Sequence, residues 1–526
     1  MEKLTTEEIV YFTFFILLSV TKGFGLYDGQ KLFTLMIIPT FLCALLKIII
    51  SSYTKRQWVM QIVLLCLTFL IYYESGEIGI FFVMFIIMGM KHIALDKVFR
   101  IGLWTWMICT ICLSIVSFFA IEHTVYRVSD KLGLGYIFRW SLGAPHPNVL
   151  HITYLMLCAY IIYALAERYS FRYFILLMIG NAVVFFYSIS YTGLGIVTVF
   201  LVGELYVKVR PKFGILEKIA VNLVLPVIIF ISFALPIMLY DSRFAASLSK
   251  LNDLLNTRIN VAHSFLVPEC MSLFGVKMSY LAQIQPYLSI DNSYVWAFIH
   301  YGIIPFVMFM LVYFVLIADY TRKQKTRELV MIICFLGAGY TEPLLFNSSL
   351  KNVTLLFVGE MLFRQKEGEE EYCLLPGVQK KLEILLQRIS EKMTNASIFK
   401  RDLCSLFINV WKVYRKQVVA AIAAGMLIGI VFCAMLYKEP SGYVVPRRCT
   451  DWRDKTFVCL ESADDPAYEG YRIMNYQDAE TPMQVVEGNA VRLETARYYV
   501  GSILIGGLAG LLIGAGTVIL TDRERL

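Results

Sequence analysis

Apolar runs close to the ~20 residues needed to cross a bilayer recur along this chain, separated by short polar interruptions. They fall at about 8–22, 31–51, 57–73, 78–90, 101–121, 149–166, 171–189, 192–207, 219–240, 293–318, 329–345, 352–363, 418–437 and 498–520. The pattern predicts an all-α integral membrane protein with about fourteen transmembrane helices. Three segments stand outside it: loops at 122–148 and 241–292, and a polar stretch at 364–417. The expected organisation is a twelve-helix bundle over 1–363, a linker over 364–417, and a two-helix module over 418–526. That last module encloses a small extracytoplasmic domain at 438–496.

Within the linker, Leu382, Leu386, Ile389 and Met393 repeat at helical spacing, and Phe407, Val410 and Trp411 sit among basic residues. Both stretches read as amphipathic helices near the inner leaflet. The run Lys366-Glu-Gly-Glu-Glu-Glu371 before them reads as a solvated linker.

Charge orients the spans. With a cytoplasmic N-terminus, the inner connections carry Lys55 and Arg56; Lys91, Lys97 and Arg100; Arg168 and Arg172; Lys208, Arg210, Lys212 and Lys218; and Arg322, Lys323, Lys325 and Arg327. The short outer turns carry little positive charge, as the positive-inside rule requires. The net charge of +8 therefore reports membrane orientation, and no soluble basic patch with interleaved aromatics points to nucleic acid. Both termini are expected in the cytoplasm. The N-terminus lacks a small-residue cleavage site, so no removable signal peptide is read. A composition of 58% hydrophobic and 17% charged residues excludes a soluble protein of this length.

Cysteine usage argues against metal or redox chemistry. Cys109 and Cys112 form a C-x-x-C inside a hydrophobic run with no second pair, so zinc is not expected. Cys449 and Cys459 lie together in the small outer domain, where a disulfide would staple a fold with little core. No cofactor is expected.

The candidate chemistry lies in the two outer loops. Arg139-Trp-Ser-Leu-Gly-Ala-Pro-His146-Pro-Asn148 places an arginine, a histidine and an asparagine on a loop braced by Pro145 and Pro147, read as a shaped loop preceding the helix. Cations held there suit a lipid-linked phosphate or pyrophosphate, though an interfacial arginine can also simply reach for lipid headgroups. Leu251-Asn-Asp-Leu-Leu-Asn-Thr-Arg258 ends a second, amphipathic stretch on an arginine. Ile290-Asp291-Asn292-Ser-Tyr294 then opens the tenth span, where Asp291 can be a helix N-cap or a general base on a sugar hydroxyl. His300 lies deeper in that span, as a packing residue or a part of the site.

The order of these features resembles the Wzy-type polysaccharide polymerases, within the O-antigen polymerase and ligase group. The Arg-x-Ser-Leu-Gly-x-x-His-Pro-Asn loop at 139–148, Asn-Thr-Arg258-Ile, and Asp291-Asn-Ser-Tyr294 leading to Gly302 carry the resemblance, with Thr341-Glu342 and Asn347. It covers about residues 1–363. It implies a bundle like the lipid-dependent GT-C glycosyltransferases and transfer of a glycan from undecaprenyl pyrophosphate to a lipid-linked repeat unit, outside the plasma membrane and without a metal. Donor and acceptor would both be lipid-linked. Asp291, His146, Arg139 and Arg258 are then the expected catalytic residues. Arg127, Asn148, Tyr191, Arg243, Asn292, Tyr294, His300 and Glu342 are expected to bind substrate.

Two departures matter. Ligases of this group often carry His-Asn-x-Tyr where this chain has Asp291-Asn-Ser-Tyr294. Many members have Ser-Arg-Gly-Gly where this chain reads Ser188-Ile-Ser-Tyr191-Thr-Gly193, so Arg139 or Arg127 is left to fill that phosphate contact. The last two spans, with the Gly-rich run from Gly501 to Gly516, resemble a reduced Wzz-type chain-length regulator. Small residues so spaced allow close helix approach, and hence a homo-oligomer through these helices. A ligase using the same site and a transporter are the competing readings. On the polymerase reading, Arg139, His146 and Arg258 are expected to converge on one cavity.

Overall fold

The computed structural model describes residues 4–120, 126–130, 132–239, 243, 245–255, 257–284, 289–365, 368–395, 403–446, 469–473 and 483–521. In chain order its helices are α1 (Thr6–Gly23), α2 (Lys31–Ile50), α3 (Lys55–Ser75), α4 (Gly79–Met88), α5 (Leu95–Phe119), α6 (Pro147–Leu165), α7 (Phe171–Ser188), α8 (Tyr191–Val209), α9 (Ile215–Met238) and α10 (Ala245–Leu254). They continue with α11 (Arg258–Phe265), α12 (Met278–Ile284), α13 (Ser293–His300), α14 (Ile303–Lys323), α15 (Thr326–Thr341), α16 (Thr354–Leu362), α17 (Pro376–Asn395), α18 (Leu403–Leu436) and α19 (Asn489–Thr521). Short strands join them: β1 (Ser52–Tyr53), β2 (Tyr126–Asp130), β3 (Tyr136–Trp140), β4 (Tyr372–Cys373), β5 (Tyr443–Pro446), β6 (Arg472–Ile473) and β7 (Met483–Val486).

The chain is a helical, multi-pass membrane protein. Among the described residues, ten helices are long and apolar enough to cross a membrane. Capping chemistry sets several of their ends. Thr5 with Glu8 and Thr54 with Gln57 form reciprocal capping boxes that start α1 and α3, and Gly76 ends α3 in the left-handed region. Helix α4 has only ten residues, every one of them buried. Burial inside protein is the condition under which a helix too short to span can persist at membrane depth.

The apolar run read as one span at 293–318 is two helices. Gly302, at φ +89°, separates α13 from α14. A Cβ there would collide with the backbone of Phe274 and Gly275. Backbone bonds from Ile303 N to Ser272 O and from Val276 N to Ile299 O lay the 272–276 segment along this break. A glycine inside an apolar run leaves hydropathy unchanged, so the break is invisible to it. Among its described residues, the 241–292 loop likewise holds the helices α10, α11 and α12.

Contacts divide the chain into two units: 1–110, 151–183 and 190–382; and 111–150, 184–189 and 383–526. This differs from the sequence division at 363 and 417, because the loop holding the Arg139 motif groups with the C-terminal helices. In the first unit, Lys47 is fully buried and its ammonium binds Glu7 Oε2 at 2.8 Å and Ser51 Oγ at 2.6 Å. Lys91 binds Glu371 Oε1 at 2.6 Å, next to the antiparallel pairing of β1 with β4.

In the second unit, β2 and β3 form an antiparallel hairpin in which Arg127 and Arg139 are register partners. Leu132, Gly133 and Gly135, all at positive φ, make its turn. The aromatic and β-branched run Tyr136-Ile-Phe-Arg-Trp140 beside a Gly-rich turn is a strand signal to which a hydropathy window is blind. Helix α18 pairs with α19 through glycines: a Cβ on Gly425 or Gly429 would strike the α19 backbone at Gly506 and Ser502, and Gly510 lies against Ala421. The small residues expected to join protomers thus face a helix of the same chain. A three-stranded sheet, ordered β6-β5-β7, lies between α18 and α19 in sequence. Helix α19 starts at Asn489, so the segment between the helices is shorter than 438–496. Cys449 and Cys459 lie outside the described residues.

Candidate functional site

In the first unit, three loops bring charged residues together. Helix α11 begins at Arg258, whose side chain is only 10% exposed. Its Nη2 donates to Glu342 Oε1 at 2.8 Å and its Nη1 to Thr192 Oγ1 at 3.3 Å. The Nε atom lies 3.5 Å from Asp291 Oδ2, an ion pair too long to satisfy that N–H as a hydrogen bond. Two carboxylates therefore converge on one guanidinium, and ionised they leave the group with a surplus negative charge.

Asp291 stands at the more open side of this group, 40% exposed against 9% for Glu342. The cap of α13 is its neighbour Asn292, whose side-chain oxygen accepts from Tyr294 N at 2.8 Å and Val295 N at 3.1 Å. Asn292 Nδ2 donates to Ser232 Oγ at 3.0 Å. The capping alternative for Asp291 is thereby replaced by Asn292. Behind Asp291, Ser293 Oγ donates to the Glu342 carbonyl at 2.6 Å and accepts from Leu345 N at 3.2 Å. The loop after α15 is thus tied to the start of α13, fixing both carboxylates to rigid elements.

The second unit holds the Arg139 group. From β3, Arg139 donates through Nε to the Ser188 carbonyl at 2.9 Å and through Nη2 to Asn148 Oδ1 at 2.7 Å. His146 Nδ1 accepts from Asn148 N at 3.1 Å. This bond keeps Nδ1 unprotonated and places the N–H of a neutral ring on Nε2. Pro147 is the first residue of α6, a position that tolerates proline because its N–H would be unbonded anyway. The reading of 145–148 as entirely non-helical is corrected: His146 acts as the cap, and Pro147 and Asn148 lie in the first turn.

Arg497, on α19, is the residue the sequence did not single out. It is fully buried. Its guanidinium donates to the Phe138 carbonyl at 2.8 Å, to the Phe186 carbonyl at 2.7 Å and 2.9 Å, and to Glu494 Oε1 at 2.6 Å. Glu494 Oε2 accepts from Trp140 Nε1 at 2.7 Å. The C-terminal helix therefore grips the residues on both sides of Arg139. A charged pair three residues apart near the start of an apolar run was its available signal.

The remaining expected residues are placed as follows. Tyr191 is half exposed in the first turn of α8. Arg243 is exposed in the turn before α10. Tyr294 is fully buried and donates to the Leu336 carbonyl at 2.8 Å, a packing role. His300 is buried and stacks on Trp296 at 4.5 Å, its Nδ1 without a hydrogen bond. The Arg127 side chain lies outside the described residues. Among the described residues, no three of His, Cys, Asp and Glu are grouped to hold a metal ion.

Comparison with known protein families, with curated proteins and with solved structures returned no match for this chain.

Proposed function

We propose that this chain is a lipid-linked oligosaccharide polymerase of the plasma membrane, with both termini in the cytoplasm and the Arg258 and Arg139 groups on the outer side. The fourteen spans of this reading are the ten long helices together with α1, α4, α15 and α16, with α13 and α14 counted through the α14 span. The observation that carries it is Asp291: a half-exposed carboxylate, relieved of capping by Asn292 and aligned by an arginine whose other nitrogens are held by Glu342 and Thr192. Such a carboxylate is a general base for a hydroxyl.

In the proposed reaction, an acceptor sugar hydroxyl loses its proton to Asp291 as its oxygen attacks the anomeric carbon of the donor glycan. The bond from that carbon to the pyrophosphate oxygen breaks, and its electrons leave with undecaprenyl pyrophosphate. Arg139, held by Asn148 in the second unit, keeps the phosphate-binding role that the resemblance implies for it. Arg258 differs from its expected role. With two carboxylates upon it, it serves better to orient the base than to bind pyrophosphate.

Chain growth by Asp291→Asn in a strain lacking the wild-type gene tests this. Polymer should disappear while single repeat units persist on the lipid carrier. Polymer made at the wild-type rate would end the assignment of Asp291 as the base. Loss of surface attachment with lipid-linked polymer still formed would favour a ligase.

One observation favours the transport reading instead. Glu204, inside α8, is buried with both oxygens unbonded and Arg327 Nε 4.0 Å away. A buried carboxylate without a hydrogen bond inside an apolar helix suits a proton relay. Under the polymerase reading, Glu204→Gln leaves polymer yield and length unchanged. A loss of polymer that follows a collapsed proton gradient in the wild type would favour transport.

A further inference from the structure

Two lysines at one end of the first unit are buried without a carboxylate partner. Lys351 is 6% exposed, and its ammonium lies 5.3 Å from the centre of the Trp106 ring. Lys22 is 8% exposed, with its ammonium 4.7 Å from the Phe33 ring and 5.1 Å from the Phe82 ring, donating to the Leu26 carbonyl at 3.3 Å. Among the described residues neither ammonium has a carboxylate oxygen within the 4.0 Å of an ion pair. Glu77 and Asp28 act on Lys22 only from further away, and Lys22 in turn acts on Lys351. Burial, and then the Lys22 charge, bring the Lys351 ammonium down to about 8. Trp106 ties the two places together, since Gly23, next to Lys22, packs against Cys109 and Trp106.

The backbone adds positive potential at the same place. Helices α4 and α16 pack side by side and run in the same direction. Gly79, at the start of α4, abuts Ser348, and Gly359, late in α16, abuts Ile87 and Met90. Both N-termini therefore face the loop that carries Lys351, three residues before α16. Helix N-termini present unbonded N–H groups and a partial positive charge to an anion. The crevice nearby is lined mainly by apolar side chains such as Phe15, Leu18, Ile86 and Leu356 and does not include either lysine, so the anion is placed by the ammonium groups and the helix ends alone. Two buried ammonium groups without a carboxylate beside them are costly, and a bound anion would offset that cost. The Arg258 group has the opposite balance, with carboxylates in surplus.

The same loop joins both places. Residues 342–353 carry Glu342 at one end and Lys351 at the other, braced by Tyr301 OH donating to the Phe346 carbonyl and by Asn352 Nδ2 donating to the Leu345 carbonyl. We propose that Lys22 and Lys351, beneath the N-termini of α4 and α16, seat the pyrophosphate of a polyprenyl-linked substrate, separately from the Arg258 group. This rests on the polymerase reading for the identity of the ligand. The shared chemistry is a phosphate or pyrophosphate anion.

The full-length protein in phosphatidylcholine nanodiscs, titrated with farnesyl pyrophosphate in a calorimeter, tests the site. Binding should weaken at least tenfold in Lys22→Gln/Lys351→Gln and persist in Lys22→Arg/Lys351→Arg and in Arg258→Gln. Unchanged binding in the glutamine variant overturns the proposal. In the wild type, farnesyl pyrophosphate should also protect Lys351 from acetylation, read by mass spectrometry. Failure to protect overturns it without recourse to any variant. Equal competition by inorganic pyrophosphate would make this a site for a free anion, and equal displacement by phosphatidylglycerol would make it a phospholipid site. Either result rejects a polyprenyl substrate. Deletion of the gene separates the two ideas: if polymer persists without this chain while the purified protein's lysine site binds the probe, the polymerase reading fails and the anion site stands.

Discussion

Asp291 and Asn292 have side chains of equal length, and α13 uses only the second as its cap. Their substitutions should therefore separate stability from activity. Asn292→Ala removes the bonds to Tyr294 N and Val295 N and should cost about 1 kcal/mol, seen as a lowered thermal midpoint of the purified protein. Asp291→Asn should leave that midpoint unchanged and lower chain growth by roughly 100- to 10,000-fold, the range for losing a general base. Equal loss of stability in both would return Asp291 to a structural role. Arg258→Lys should also impair growth, because one ammonium cannot hold Glu342 and Thr192 while facing Asp291. Retained growth in that variant would remove the alignment argument.

At the scale of elements, Arg497 is the test of how α19 serves the loop. Replacing it with Met strands the carbonyls of Phe138 and Phe186 and leaves Glu494 buried without its cation. Breaking one side of a buried pair typically costs ~3–5 kcal/mol, so Arg497→Met should sharply destabilise the β2–β3 hairpin. Faster protease cleavage within 132–135 would register it; unchanged protection would mean the hairpin holds without α19.

The elements also mark where sequence reading stops. The long helices were legible because hydropathy over a span is a sum that tolerates single exceptions. The Gly302 break was not, since its cause is a clash with the distant Phe274 backbone. Arg258, Asp291 and Glu342 were legible as chemistry, being charged residues where charge is costly. The choice between Asp291 and Asn292 as cap was not, because it turns on a one-residue phase of the helix start. Arg497 showed only its pairing with Glu494, because its other partners are backbone carbonyls, which carry no residue type.

For the whole molecule, the contact division changes what a truncation does. Removing everything after Glu371 deletes β4, α17, α18 and α19, and with the last of these the grip of Arg497 and Glu494 on β3. A chain polymerising independently of its C-terminus would show only altered polymer lengths. The grip predicts instead that polymer is lost although the truncated protein inserts in the membrane. Gel separation of polysaccharide from the two strains decides it. Polymer of shifted length from the truncated chain would restore the view of the last helices as a detachable length regulator.

The bond from Arg497 to Phe138 also imposes a schedule. Its partners are 359 residues apart in the chain. At ~5–20 residues per second, the ribosome reaches Arg497 roughly 18–70 s after Phe138. Until then the carbonyl of Phe138, and that of Phe186 once it is made, await their donor, and Arg139 sits on an unfinished support. On the proposed reading, a nascent chain already threaded through the bilayer is inert towards sugar until its last helix arrives. Completion of synthesis is then itself the switch, and an abortive product released early cannot draw down the carrier lipid.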